Sequence, residues 1–162
     1  MFIDLTSEQH ALRLKCRDYF QALMTPELKA RMRGAEGGDE YRELIRKMGR
    51  DGWLAIGWPK EFGGQGLSAT EQLIFFEEAN IAGAPLPFVT ISTVGPALME
   101  YGTEAQKQSY VRAIAEGREI GAFALTESQS GSDATAMRCR AVKQADGSFV
   151  INGQKSWITS GP

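Results

Sequence analysis

Up to Gly117 the apolar residues of this chain recur at helical spacing, and after it they alternate in the manner of strands. A helix buries a stripe and a strand buries a face, so a single change of period predicts a helical part followed by an antiparallel β part. The chain has 162 residues, the size of one ordinary domain, so it holds one core plus a piece of another. The predicted fold class is α+β: an all-α helical bundle over 1–118, then the first antiparallel strands of a second domain over 119–162.

In the helical part, Thr6 and Gln9 form a capping-box pattern, and Leu12, Cys16, Tyr19, Phe20 and Leu23 follow on one face, predicting a helix over 7–24. Thr25 and Pro26 interrupt it, a short charged segment comes next, and Gly34, Gly37 and Gly38 mark a loop. Tyr41, Leu44, Ile45 and Met48 predict a second helix. Between Gly57 and Gly66, Pro59 and four glycines predict a tight, ordered loop. Ser68 and Glu71 cap a helix expected to bury Leu73, Phe76 and Ala79. The almost uncharged stretch around Pro96 predicts a helix over 88–101 lying inside the bundle. Thr103 and Gln106 cap a last helix, carried by Tyr110, Ala113 and Ile114 to Gly117.

Beyond Gly117, Ile120 to Leu125 reads as a buried extended run. Met137, Cys139 and Ala141 alternate with Arg138, Arg140 and Val142, and the hairpin signals Asp146-Gly147 and Asn152-Gly153 join that strand to 149–151 and then to 155–159. The expected meander of three or four strands stops at Pro162 with an apolar edge uncovered, so the chain reads as cut short.

The 18 basic and 20 acidic residues are scattered, with no basic run to track a phosphate backbone, which argues against nucleic acid. The N-terminus MFIDLTSEQ lacks a leader pattern, and no apolar stretch reaches the ~18 residues of a membrane span, predicting a soluble, cytoplasmic protein. Cys16 and Cys139 read as separate buried thiols. With His10 the only histidine, the chain offers no multi-His or Cys-rich metal site, and no catalytic residue is assigned.

Chemistry concentrates in Phe123-Ala124-Leu125-Thr126-Glu127-Ser128-Gln129-Ser130-Gly131-Ser132-Asp133 and, downstream, Asn152-Gly153-Gln154-Lys155-Ser156-Trp157-Ile158-Thr159. The first is a strand ending in a hydroxyl-rich loop, and the second bears an indole and a hydroxyl. An isoalloxazine ring needs an apolar wall and N–H donors at its edge. Leu125 and Thr126 could supply the donors, Gly131 and Ser132 a close approach for a diphosphate, and Trp157 and Thr159 the cover. Taken singly, each element also reads as a polar loop or a core aromatic. Glu127 and Asp133 read as a loop brace and a cap.

Together the two stretches resemble the flavin-binding motifs of the acyl-CoA dehydrogenase family, A-x-T-E-P-x-A-G-S-D and I-N-G-x-K-x-W-I-T. Trp58 to Gly66 and Tyr101 to Lys107 are similar to further family signatures, so the resemblance spans nearly the whole chain. It implies a helical domain, a middle β domain of barrel or sandwich type and a C-terminal helical domain absent from this sequence, with FAD bound between subunits of a tetramer. By motif position it places flavin contacts on Phe123, Leu125, Thr126, Trp157, Ile158 and Thr159, with Gly131 and Ser132 near the diphosphate and Ser132 also near the acyl-CoA. Ser128 and Ser130 depart from the family's proline and alanine, and Phe123 from its usual tyrosine.

The implied reaction is α,β-dehydrogenation of an acyl-CoA to a trans-2-enoyl-CoA, with electron-transfer flavoprotein as acceptor. The carboxylate base would come from the absent C-terminal domain. The runs Met48 to Trp53 and Gly57 to Lys60 look most similar to bacterial members acting on steroid or other bulky acyl-CoAs, some built from two unlike subunits. Two alternatives stay open: a non-catalytic partner subunit of a heteromer, and a flavin oxidase relative.

Overall fold

The computed structural model describes residues 4–34 and 37–161. The first three residues of the leader reading and the terminal Pro162 lie outside them. Helix α1 (Ser7–Leu23) starts at the reciprocal Thr6/Gln9 capping box. Thr25 does not merely interrupt it: Thr25 caps a short helix α2 (Pro26–Met32), because proline at a first helical position has no N–H to lose. Helix α3 (Asp39–Arg50) buries Leu44, Ile45 and Met48 as expected.

Helix α4 (Ala69–Ala82) begins at the Ser68/Glu71 box and buries Ala79 as predicted, but its face is turned from the expected one: Ile74, Phe75 and Glu78 are buried, Phe76 is half-buried and Leu73 is exposed. The reason is polar. Glu78 accepts a forked pair of hydrogen bonds from Arg17 Nε and Nη2 at 3.0 and 2.8 Å, across the seam where α1 packs on α4. Arg17 holds the Glu78 carboxyl below its ordinary pKa, so the charge stays tolerable inside.

The core is centred on Phe20, Ile45, Met48, Ile56 and Phe75, with Trp53 stacked on Phe75 at 6.0 Å. Each such side chain contributes roughly 1.5–3 kcal/mol by leaving water. The irregular segment from Trp53 to Trp58 runs through this core. Its backbone is satisfied from the glycine loop: Gln65 N–H donates to Ala55 O, Leu67 N–H to Ile56 O and Gly66 N–H to Trp58 O. Gly64 lies so close that a Cβ there would stand 2.0 Å from Trp58 O.

The predicted helix over 88–101 forms, widened by a π turn at Thr90–Val94 that leads into α5 (Gly95–Tyr101). It does not lie inside the bundle: only Thr90, Ile91 and Gly95 are buried, and Phe88 is exposed. Trp58 Nε1 donates to Ile91 O at 3.2 Å, and Gly95 makes room for the indole. A second helical run holds α6 (Glu104–Gln106), a π turn at Lys107–Val111 and α7 (Arg112–Ala115), ending at Gly117 with φ +70. Gly49 of α3 meets Glu116 and Gly117 backbone to backbone.

The β part is smaller than predicted. Among the described residues, strands β1 (Arg140–Lys143) and β2 (Phe149–Asn152) pair antiparallel, Arg140 opposite Asn152 and Lys143 opposite Phe149, around the Asp146-Gly147 turn. The run 120–125 is unpaired, exposed over 122–124 and half-buried at its ends, Met137 to Cys139 precede the ladder, and 155–159 forms no third strand. Alternation marks which face a strand would show, but a ladder also needs a partner at its edge, and here 155–159 bends away. The α+β class and its order stand, with two strands in place of three or four.

Candidate functional site

The two stretches singled out in the sequence come together. Ser156 N–H donates to Thr126 O at 2.9 Å, and Lys155 Nζ donates to Leu125 O at 2.8 Å, so 125–127 and 155–157 adjoin across thirty residues of chain. They adjoin as irregular segments and not as strands of one sheet.

Glu127 is the anchor of this junction. Its carboxylate is 5% exposed and accepts from Arg138 N–H (2.8 Å), Cys139 N–H (2.9 Å), Lys155 Nζ (2.9 Å) and Gln129 Nε2 (2.6 Å). Those donors, Arg138 N–H foremost, hold its pKa down at about 2. A carboxylate so occupied is a brace, as expected, and a poor proton acceptor near neutrality. Its own backbone pairs both ways with Ser130, closing a tight turn, while Ser130 Oγ donates to Asp133 O. Asp133 caps the short 3₁₀ turn Ala134–Ala136 through Thr135 N–H.

Around that frame the predicted contact residues fall into two groups. Leu125 and Thr126 are half-buried, and among the described residues neither backbone N–H donates to a protein acceptor. Trp157 projects from the adjoining segment with its indole 91% exposed and its backbone at φ +58, an unusual conformation for a bulky residue. Phe123 is half exposed. Gly131 and Ser132 are exposed on the braced loop, with nothing within 4 Å of where a Gly131 Cβ would lie. These features suit a flat ligand: free edge donors, a bare aromatic wall and an uncrowded glycine.

Thr159 forms the second group. It lines a cleft of about 800 Å³ with Tyr41, Phe88, Ile120, Ser160 and Gly161, and no hydrogen bond ties it to the 125–127 segment. Ile158 starts the turn that Gly161 N–H closes onto its carbonyl. Sequence reasoning gave Lys155 no role, although it stands inside the motif; the signal was a lone cation next to a run of flavin-like contact positions. It also missed the Thr90 hydroxyl, which donates to Gly121 O at 3.0 Å and accepts from Gly121 N–H at 3.1 Å, tying the π turn to the segment that leads into the site. Cys16 is fully buried, its thiol pushed up to about 11 by loss of solvent, whereas Cys139 is only half-buried; both are free.

Similarity to known proteins shows the family of the chain. The acyl-CoA dehydrogenase N-terminal domain matches residues 6–118, and the acyl-CoA dehydrogenase middle domain matches residues 122–162. The acyl-CoA dehydrogenase FadE26 of Mycobacterium tuberculosis is 48% identical over 98% of this chain and 40% of its own length. The ChsE4-ChsE5 complex of Mycobacterium tuberculosis superposes with a TM-score of 0.90 at 48% identity, over 99% of this chain and 41% of that one. A steroid acyl-CoA dehydrogenase, Tcur3481-Tcur3483, does so with a TM-score of 0.86 at 44% identity, over 96% and 41%. The chain therefore spans about 40% of the length of the relatives it matches. Among the described residues no helix is long and apolar enough to cross a membrane.

Proposed function

Because this chain belongs to the acyl-CoA dehydrogenase family, we propose that it supplies the helical domain (1–118) and the first flavin-contacting segments (119–162) of a FAD-dependent acyl-CoA dehydrogenase. The observation that carries this reading is the Ser156–Thr126 hydrogen bond, which sets the Trp157 segment beside two unengaged N–H groups. A FAD held by these residues would supply the hydride-accepting chemistry for α,β-dehydrogenation of an acyl-CoA to a trans-2-enoyl-CoA, a base being needed for the α proton.

The chain's own residues provide binding and orientation. Leu125 and Thr126 offer N–H donors where negative charge gathers at the ring edge, and the Thr126 hydroxyl offers a third. Trp157 covers a face, and Phe123, Ile158 and Thr159 keep the further contacts that their motif positions imply. The Ser132 hydroxyl and the open backbone at Gly131 face the diphosphate or the acyl-CoA. Glu127 and Asp133 are spent on bracing and capping, and, as the family resemblance implies, the base would come from a C-terminal domain outside this sequence. The whole protein is read as a cytoplasmic tetramer, handing electrons to electron-transfer flavoprotein, with a lean toward steroid or other bulky acyl-CoAs.

A second reading, a non-catalytic subunit paired with an active one, is favoured by the two-component names of both similar structures and by Ser128 and Ser130 in the flavin loop. One experiment separates the two. The whole protein, purified with its natural partners, is examined for flavin absorbance and for bleaching by acyl-CoA. Trp157→Ala should lower flavin retention while changing unfolding by no more than ~0.5 kcal/mol, because the indole is exposed. A correctly assembled preparation with neither colour nor bleaching refutes the dehydrogenase reading and supports the partner reading.

A further inference from the structure

Lys155 spends all three of its ammonium donors inside the junction, on Leu125 O (2.8 Å), Glu127 Oε1 (2.9 Å) and Met137 Sδ (3.4 Å). Its side chain, only 22% exposed, is held across the junction against the buried Glu127 carboxylate. The geometry of the peptide shows what it does. In a planar trans amide the C=O and N–H point in opposite directions. With the Leu125 carbonyl turned toward Lys155, the N–H of Thr126, on the same peptide, must point away from it. The next peptide is fixed from the same side, since Thr126 O accepts from Ser156 N–H. Both peptides flanking Thr126 are thus gripped from the 155–156 segment, and the one donor left free is aimed outward.

We propose that Lys155 is a positioning residue for the flavin edge: paired with Glu127, it holds the Leu125 carbonyl so that the Thr126 N–H is presented to the ring. The inference rests on the flavin reading of the site and adds the device that orients the donor. Glu127 in turn is held by Arg138 and Cys139 N–H, so the loop leading into β1 sets the position of the cation.

The test uses the full-length protein with its partner subunits and compares Lys155→Met, Lys155→Arg and Glu127→Gln. The readouts are flavin occupancy, the flavin midpoint potential and hydrogen exchange at the Glu127 and Ser156 amides in flavin-free protein. A misaimed donor no longer favours the anionic reduced ring. Lys155→Met should therefore lower the preference for reduced over oxidised flavin about tenfold, ~30 mV for a two-electron couple. Lys155→Arg should recover part of that loss.

Glu127→Gln separates aim from charge. Removing a negative charge through space raises the potential, whereas loosening Lys155 lowers it, so a fall supports positioning and a rise overturns it. Should Glu127→Gln not fold, the lysine variants and the exchange measurement decide alone, with faster exchange at the Glu127 and Ser156 amides, whose hydrogen bonds to Ser130 O and Thr126 O hold the junction, and unchanged exchange in α1 expected. An unsubstituted protein that binds no flavin defeats the parent reading and this one together. A flavin-loaded protein whose potential, occupancy and amide exchange ignore Lys155→Met defeats this one only.

Discussion

Gly49→Ala should destabilise the helical domain, although alanine is the better helix former. The substitution gains up to ~1 kcal/mol of intrinsic propensity in α3. Against it, the new Cβ would stand 2.2 Å from the Glu116 carbonyl carbon, 2.3 Å from its oxygen and 2.5 Å from Gly117 N. Carbon atoms in ordinary contact lie ~3.5–4.0 Å apart, so the two backbones must part by more than ~1 Å. Neither side has slack. Gly117 packs on Ile45 O so closely that its own Cβ would fall 2.4 Å away, and every colliding atom is backbone. Overpacking of this kind costs about 1–3 kcal/mol, and rigid neighbours place it at the upper end.

The net loss is about 2 kcal/mol, a fall of roughly 4–8 °C in Tm for a unit of this size. Gly57→Ala is the matched control. Its Cβ meets only the end of the Gln72 side chain, at 1.9 Å from Nε2 and 2.1 Å from Cδ, and a half-buried glutamine can swing aside. That change should stay within about 1 kcal/mol. Thermal and urea unfolding tracked by far-UV circular dichroism read both. If Gly49→Ala unfolds at or above the unsubstituted midpoint, or Gly57→Ala costs more than Gly49→Ala, the close-approach reasoning is wrong.

Thr90→Val keeps the shape of a buried side chain but strips Gly121 of both hydrogen-bond partners, and should cost about 1–3 kcal/mol in urea unfolding, with Thr90→Ser close to unsubstituted. Arg17→Met removes the fork from buried Glu78, and Arg13 Nε, at 3.9 Å, is too far to replace it. With Arg17 itself partly in solvent, the expected loss is about 1–3 kcal/mol. The lowered Glu78 pKa means the pair stabilises above the ordinary carboxylate value and less as pH falls, so the variant's deficit should shrink between pH 7 and pH 4. Glu127, depressed to about 2, obeys the same sign: its bracing is complete above its ordinary value near 4.5 and fails only as pH drops toward 2. The amide resonances of Arg138 and Cys139 should titrate with that low midpoint; a midpoint near 4 counts against the brace.

Local chemistry was legible where it is written in neighbouring residues. The boxes at Thr6/Gln9, Ser68/Glu71 and Thr103/Gln106 all form, because each needs only a hydroxyl and an amide or carboxylate three residues apart. Asp133 caps and Glu127 braces, as their positions in the loop suggested. The features that stayed hidden depend on distant partners. The inward face of α4 includes Glu78, which any hydrophobic count turns outward until Arg17, sixty-one residues away, is in view. The buried stretch from Trp53 to Trp58 has no period at all, and its polar backbone is satisfied by 65–67. The alternation after Met137 correctly located one hairpin but overstated the sheet, because Trp157 turns the chain at positive φ where a third strand was expected. The stretches around Thr126 and Trp157 do adjoin, as a shared flavin wall requires, but as irregular segments, and the Lys155 cation that locks them depends on a partner thirty residues away.

The π turn at Thr90–Val94 gives its helix one spare residue. Losing a residue there would let the coil tighten to ordinary pitch while Leu98 and Met99 kept their bearing, whereas the same loss early in α5 would swing every subsequent side chain of the helix by about 100°. The helix beside Trp58 can thus change length by one at this coil without repointing its far end, a tolerance that no other stretch of the 88–101 run offers.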